Sequence, residues 1–111
     1  MIIDLLYFDG CPNHGPTLDL IADVLVAERI LAEVREIQVA DESDVRKNKF
    51  LGSPTIRVDG VDIEPHARSL NRYAMTCRVY HGGDCMTGTP PRQLIEDAIR
   101  SAAGAERQRV D

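Results

Sequence analysis

The chain has 111 residues, with 18 acidic and 13 basic side chains and a formal charge of −5, which excludes a broad basic footprint for nucleic acid. Hydrophobic residues make up 43% and aromatics 5%, with no tryptophan, so the expectation is one domain with an aliphatic core. No run approaches the ~18 apolar residues of a membrane span, and three cysteines, an odd number, do not make a disulfide framework. The first residues lack a basic n-region and are interrupted by Asp4, so neither a signal peptide nor membrane association is expected, and a reducing cytoplasm is the default location.

Residues 2–8 (IIDLLYF) form a near-continuous apolar run closed by Asp9-Gly10. Such a run predicts a strand buried on both faces, hence central and parallel to a neighbour. Cys11 and Pro12 follow the turn, and residues 17–34 carry a helical pattern through Leu18, Ile21, Val24, Leu25 and Leu31. Two starts fit this helix. Either Pro12 is its first residue with Cys11 as cap, or Pro16 is the first with Gly15 as cap. The choice decides whether the Cys11 sulfur lies on the helix end or a turn before it.

Residues 34–40 alternate as a second strand, and Asp41 caps a short helix over 42–50, with Asp44 three residues on as in a capping box. Gly52-Ser53-Pro54 ends that helix. Residues 55–58 and 61–63 read as a hairpin around Asp59-Gly60. Residues 64–89 read as a long loop, with an extended piece over 77–80, and loops of that length tend to carry function. Thr89-Pro90 opens a last helix whose apolar face holds Leu94, Ile95, Ala98, Ile99 and Ala102. Gly104 ends it, so the domain spans 1–104 and 105–111 is a flexible tail.

The chemistry centres on Cys11. Helix N-terminal N–H groups favour a thiolate, and His14, three positions on, stands within side-chain reach on one helix face. A protonated His14 would hold the thiolate; a neutral one would serve as base or donor. Asn13 either caps the helix or hydrogen-bonds the sulfur. Cys77 either resolves Cys11, pairs with Cys85, or joins His81 and Cys85 in a C-x3-H-x3-C set wider than the usual zinc spacing, with Cys11 or His66 as further ligand. The bland alternative is that Cys77 packs as a small hydrophobe and Cys85 is a bystander. His66 and the cations Arg46, Lys47 and Lys49 read as solvated surface, and Gly82-Gly83 as a turn rather than a phosphate loop, so no cofactor is called for.

The phrases Tyr7-Phe8-Asp9-Gly10-Cys11-Pro12-Asn13-His14 and Gly52-Ser53-Pro54-Thr55-Ile56, in that order of elements, resemble the thioredoxin-fold superfamily. More narrowly they are similar to small bacterial thioredoxin-like proteins, some of them selenoproteins, often labelled relatives of organomercurial lyases. The resemblance implies an α/β fold with a central mixed sheet of about four strands flanked by helices. It also implies a cis Pro54 packed near the cysteine, with the backbone at Ser53 and Pro54 offered to a bound thiol or peptide. On the residues themselves, Cys11 and His14 are expected to be catalytic, with Cys77 or an external low-molecular-weight thiol resolving the mixed disulfide, and Asn13, Ser53 and Pro54 are expected to contact the substrate. His14 replaces the second cysteine of Cys-x-x-Cys, which removes the usual dithiol route. The leading expectation is a thiol redox protein acting by thiol–disulfide exchange or peroxide reduction on a protein or low-molecular-weight thiol. The rivals are a soft-metal or organomercurial-binding thiol protein and a non-catalytic module that binds a partner or forms a homodimer.

Overall fold

The structure is a computed structural model and describes residues 1–82 and 85–108; for 81, 82, 85–87 and 106–108 it describes the backbone alone. The elements run β1 (Ile2–Tyr7), α1 (His14–Glu28), β2 (Glu33–Gln38), α2 (Glu42–Asn48), β3 (Thr55–Val58), β4 (Val61–Asp62), a 3-10 turn (Pro65–Ser69), β5 (Tyr80–Gly82), β6 (Cys85–Thr87) and α3 (Arg92–Gln108). The first four strands make one mixed sheet in the order β2-β1-β3-β4, with β1 parallel to β2 and antiparallel to β3. The three helices flank it, an α/β arrangement compatible with a thioredoxin-like fold. Among the described residues no helix is long and apolar enough to cross a membrane.

The two-faced apolarity of β1 explains its central place. Successive strand side chains point to opposite faces. Ile3 and Leu5 therefore join Ile21 and Val24 of α1, Ile56 and Val58 of β3, and Ile95 and Ile99 of α3 in one core. Leu6 joins a smaller cluster with Val39, Val45 and Phe50 on the other face. Asp4 shares the face of Leu6. The guanidinium of Arg35 on β2 takes its carboxylate through two hydrogen bonds of 2.7 and 3.1 Å.

Local signals place most boundaries. Asp59 (φ 50°) and Gly60 (φ 84°) make the tight turn between β3 and β4 with the left-handed backbone such hairpins use. The Asp41 Oδ1 accepts from the Asp44 amide at 2.9 Å, and Asp44 Oδ2 accepts from the Ala40 amide at 3.0 Å, so both acids fix the start of α2.

Several boundaries differ from the sequence reading. The first helix starts at His14 and stops at Glu28 rather than running to residue 34. Arg29 (φ 54°) takes the left-handed conformation, and the Ile30 amide donates to Leu25 O at 3.0 Å. Lys49 (φ 51°) does the same after α2, with the Phe50 amide on Val45 O at 3.0 Å. Each end is a Schellman closure in which the apolar residue after the left-handed one packs with the residue it bonds. Ile30 and Leu25 sit against the main core, while Phe50 and Val45 belong to the smaller one.

At the C-terminus, α3 begins at Arg92, two residues beyond Pro90, and passes through Gly104 to Gln108. A glycine costs a helix interior roughly 0.5–1 kcal/mol, which the strong helix formers after it outweigh. The 105–108 part of the expected tail is thus helical, and 109–111 lie outside the described residues. Residues 64–89 are no structureless loop either, since they hold the 3-10 turn, an extended run beside residues 50–53, and the β5–β6 hairpin.

Candidate functional site

The site forms where the turn after β1 meets the loop before β3. The register pairs Leu6 with Thr55, and continued past the strand ends it brings Phe8 opposite Ser53. The Phe8 amide donates to Ser53 Oγ at 3.4 Å. Ser53–Pro54 is a cis peptide bond, and Ser53 and Pro54 are buried.

Cys11 is half-buried and its thiol is free. Its amide donates to Phe8 O at 3.2 Å, and its carbonyl accepts from the His14 amide at 3.3 Å. Cys11 therefore stands in a double turn ahead of the helix. Asn13 is the residue flanking α1, so neither expected start holds. The first helical bond runs from the Thr17 amide to Asn13 O at 3.1 Å. Pro16 thus falls inside the first turn, where an N–H has no helical partner to lose, and no kink follows. The helix macrodipole reaches Cys11 only weakly, because the effect fades within a turn of the helix end.

His14 is engaged elsewhere. Its ring stacks on Tyr7, centroids 3.6 Å apart and planes 7° from parallel. Its Nε2 lies 2.7 Å from Glu36 Oε1 on β2. Among the described residues no group hydrogen-bonds the Cys11 sulfur, so the His14–thiol pair expected from three-residue spacing is replaced by a clamp of α1 onto β1 and β2. Asn13 makes no side-chain cap; its amide lies against Gly88, where any Cβ would collide with it. The exit of the β5–β6 hairpin thereby covers the start of α1.

Cys77 is exposed, free, and bridged to Ser53 in parallel pairing. The Ser53 amide donates to Thr76 O at 2.8 Å, and the Arg78 amide donates to Ser53 O at 2.9 Å. Tyr80 Oη donates to Pro54 O at 2.6 Å. The backbone that the resemblance implies for a bound partner is therefore occupied by the chain's own segment 76–80. Gly52 (φ 118°) permits this approach, because a Cβ there would sit 3.0 Å from Thr76 O and 3.1 Å from Arg78 Cβ.

An ionic knot that the sequence reading missed holds the segment down. Arg78, 6% exposed, donates through Nη1 and Nη2 to both oxygens of Asp62 at 2.8 Å. It also donates to Glu64 Oε1 at 3.2 Å and to Thr55 Oγ1 at 3.2 Å, and its guanidinium lies 4.5 Å from the Tyr80 ring centroid. Burial works against the Arg78 charge, but the bonds and the negative charge of Asp62 and the bond to Glu64 hold its pKa above the usual arginine value. Burial pushes the Tyr80 hydroxyl up, against the pull of Arg78, so it stays protonated and able to donate. No local pattern announces this set, since Asp62 and Arg78 are far apart in sequence.

His66, placed on the surface by the sequence reading, lines one cleft of about 320 Å³ with Cys77 and Glu64. Among the described residues no group of three or more His, Cys, Asp or Glu stands close enough to hold a metal ion. The side chains of His81 and Cys85, needed for the wide-spaced zinc set or a Cys77–Cys85 bond, lie outside the described residues. No family model matches the chain, and neither a curated protein nor a solved structure matches it.

Proposed function

We propose that the chain is a thiol redox protein of thioredoxin-like design, with Cys11 as its nucleophile. The observation that carries this reading is the position of Cys11: a free, half-buried thiol in the turn between the central strand and α1, its amide bonded to Phe8 O while the Phe8 amide bonds to the Ser53 hydroxyl. In the reaction, the Cys11 thiolate attacks one sulfur of a disulfide. The substrate S–S bond breaks as the Cys11–sulfur bond forms, and the leaving thiolate takes a proton from solvent. A second thiolate then attacks the substrate-derived sulfur of this mixed disulfide; its bond to Cys11 breaks, the Cys11 thiolate leaves, and a new disulfide is released.

The likeness of its two motifs to the thioredoxin-fold superfamily supports this reading, as does the sheet order. The second reactant is Cys77, which bridges to Ser53 of the same loop, or an external low-molecular-weight thiol of a reducing cytoplasm.

The rival reading as a non-catalytic or homodimerising module has one observation in its favour. Leu31 is 97% exposed and Val26 79% exposed at the end of α1. One experiment separates the two. Alkylation by iodoacetamide at pH 7 is timed for the Cys77→Ser/Cys85→Ser protein. Cys11 reacting faster than free cysteine, and forming a mixed disulfide with oxidised glutathione, is the expected result. A rate no faster than free cysteine, with a Cys11→Ser protein still performing its cellular role, would shift the assignment to the binding module.

A further inference from the structure

We infer that the cleft between the β3–β4 hairpin and the 3-10 turn binds a small organic anion, with Arg57 and Arg68 taking a phosphate or carboxylate group and Leu51, Leu70 and Tyr73 taking an apolar body. The cleft encloses about 430 Å³, within the size of small-ligand sites.

Three cations, Lys49, Arg57 and Arg68, line this cleft in a chain whose overall charge is −5. The neighbouring carboxylates Asp62 and Asp4 are each bonded to another arginine. Asp62 in the cleft wall is held by both Nη atoms of Arg78. Asp4, the cross-strand neighbour of Arg57, is held by Arg35. Among the described residues neither Lys49, Arg57 nor Arg68 has an ion-pair partner. Arg57 Nη2 donates to Lys49 O at 2.7 Å, and Arg68 Nε donates to Asp62 O at 2.8 Å. These bonds anchor one nitrogen of each guanidinium and leave its other N–H groups without a partner among the described residues, free to take an anion.

Arg57 is half-buried, and burial lowers its pKa against the opposing pull of Asp62. A partly desolvated cation without an ion-pair partner of its own gains from an anion, and the guanidinium fork matches the oxygens of phosphate or carboxylate. The Tyr73 ring and the two leucines beside the forks distinguish this cleft from a simple inorganic-ion site.

The test is a two-dimensional amide NMR titration of the full chain with three probes: phenyl phosphate, benzoate and inorganic phosphate. Saturable shifts within residues 49–73 with phenyl phosphate or benzoate are expected, and the tighter of the two identifies the head group. Inorganic phosphate is expected to bind about tenfold more weakly, since it leaves the apolar wall empty. Arg57→Met and Arg68→Met are each expected to weaken the better probe by about tenfold or more. Arg68 is exposed, so its variant keeps the fold and carries the test should Arg57→Met disturb the end of α2. Absence of saturable shifts with both organic probes, or unchanged binding in a folded Arg68→Met protein, would overturn the site. Inorganic phosphate binding as tightly as phenyl phosphate would overturn the assignment of an apolar body.

Discussion

Arg78 is heavily committed by its side chain and its backbone alike. Four of its five N–H groups can be accounted for by Asp62, Glu64 and Thr55, and its backbone amide closes onto Ser53. Removing one partner of a buried ion set strands the other charges without solvent. Arg78→Met is expected to lower stability by about 3–5 kcal/mol, read from urea unfolding; a loss under about 1 kcal/mol would mean that the knot behaves as a surface pair. Lysine would not rescue it, because an ammonium cannot present the two-pronged fork that both Asp62 oxygens accept. In the sequence, Arg78 is one basic residue in a polar stretch, and nothing within several residues indicates that it is buried. Cys11 is the opposite case, since the turn residues around it mark its position while leaving the surroundings of its sulfur open.

At the scale of elements, both short-range helix stops depend on a residue other than glycine in left-handed backbone. Arg29 and Lys49 each adopt φ near +50°, a conformation that costs an L-residue about 1–2 kcal/mol. Glycine adopts it without that cost but loses more conformational freedom on folding. The net expectation for Arg29→Gly is a gain of about 0.5–1 kcal/mol, seen as a higher urea midpoint with unchanged slope. Arg29 is the cleaner position for the measurement, since Lys49 also borders the cationic cleft. The absence of glycine explains why the apolar periodicity alone carried the first helix too far. Leu31 continues the spacing, yet after the reversal at Arg29 it points into solvent, 97% exposed.

Across the whole molecule, α1 and α3 cover the same face of the sheet and are joined at their outer surfaces by Arg100 and Glu28, at 2.6 and 3.1 Å. The hydrogen bond from Arg100 holds the Glu28 carboxyl below its ordinary value of 4.5. A carboxylate with a depressed folded-state pKa adds stability that is present above the unfolded value and is lost as pH falls through the folded one. The melting temperature of the native protein should therefore exceed that of Glu28→Gln at neutral pH, and the difference should shrink as pH falls below about 4.5. The bridge is exposed, so added salt should narrow the difference as well. A difference constant from pH 7 to pH 3 would show that the bridge contributes nothing to holding the helices together.

The sequence by itself determined whatever depends on neighbours along the chain. The two-sided apolarity of residues 2–8 set β1 in the middle of the sheet. Asp59-Gly60 set the hairpin, and Asp41 with Asp44 set the start of α2. The order of those elements carried the α/β fold, and the turn at Gly10 carried the position of Cys11. Tertiary structure decided which groups meet. It gave His14 to Tyr7 and Glu36 rather than to the thiol, folded residues 76–80 onto the Ser53 loop, and spent Asp62 on Arg78, leaving Arg57 and Arg68 uncompensated around a cleft. The physical reason is that periodicity, capping and turn preference act within a few residues. A charge or hydrogen bond is satisfied by whichever group packing brings within about 3 Å, here 16 positions away for Asp62 and Arg78 and 22 for His14 and Glu36.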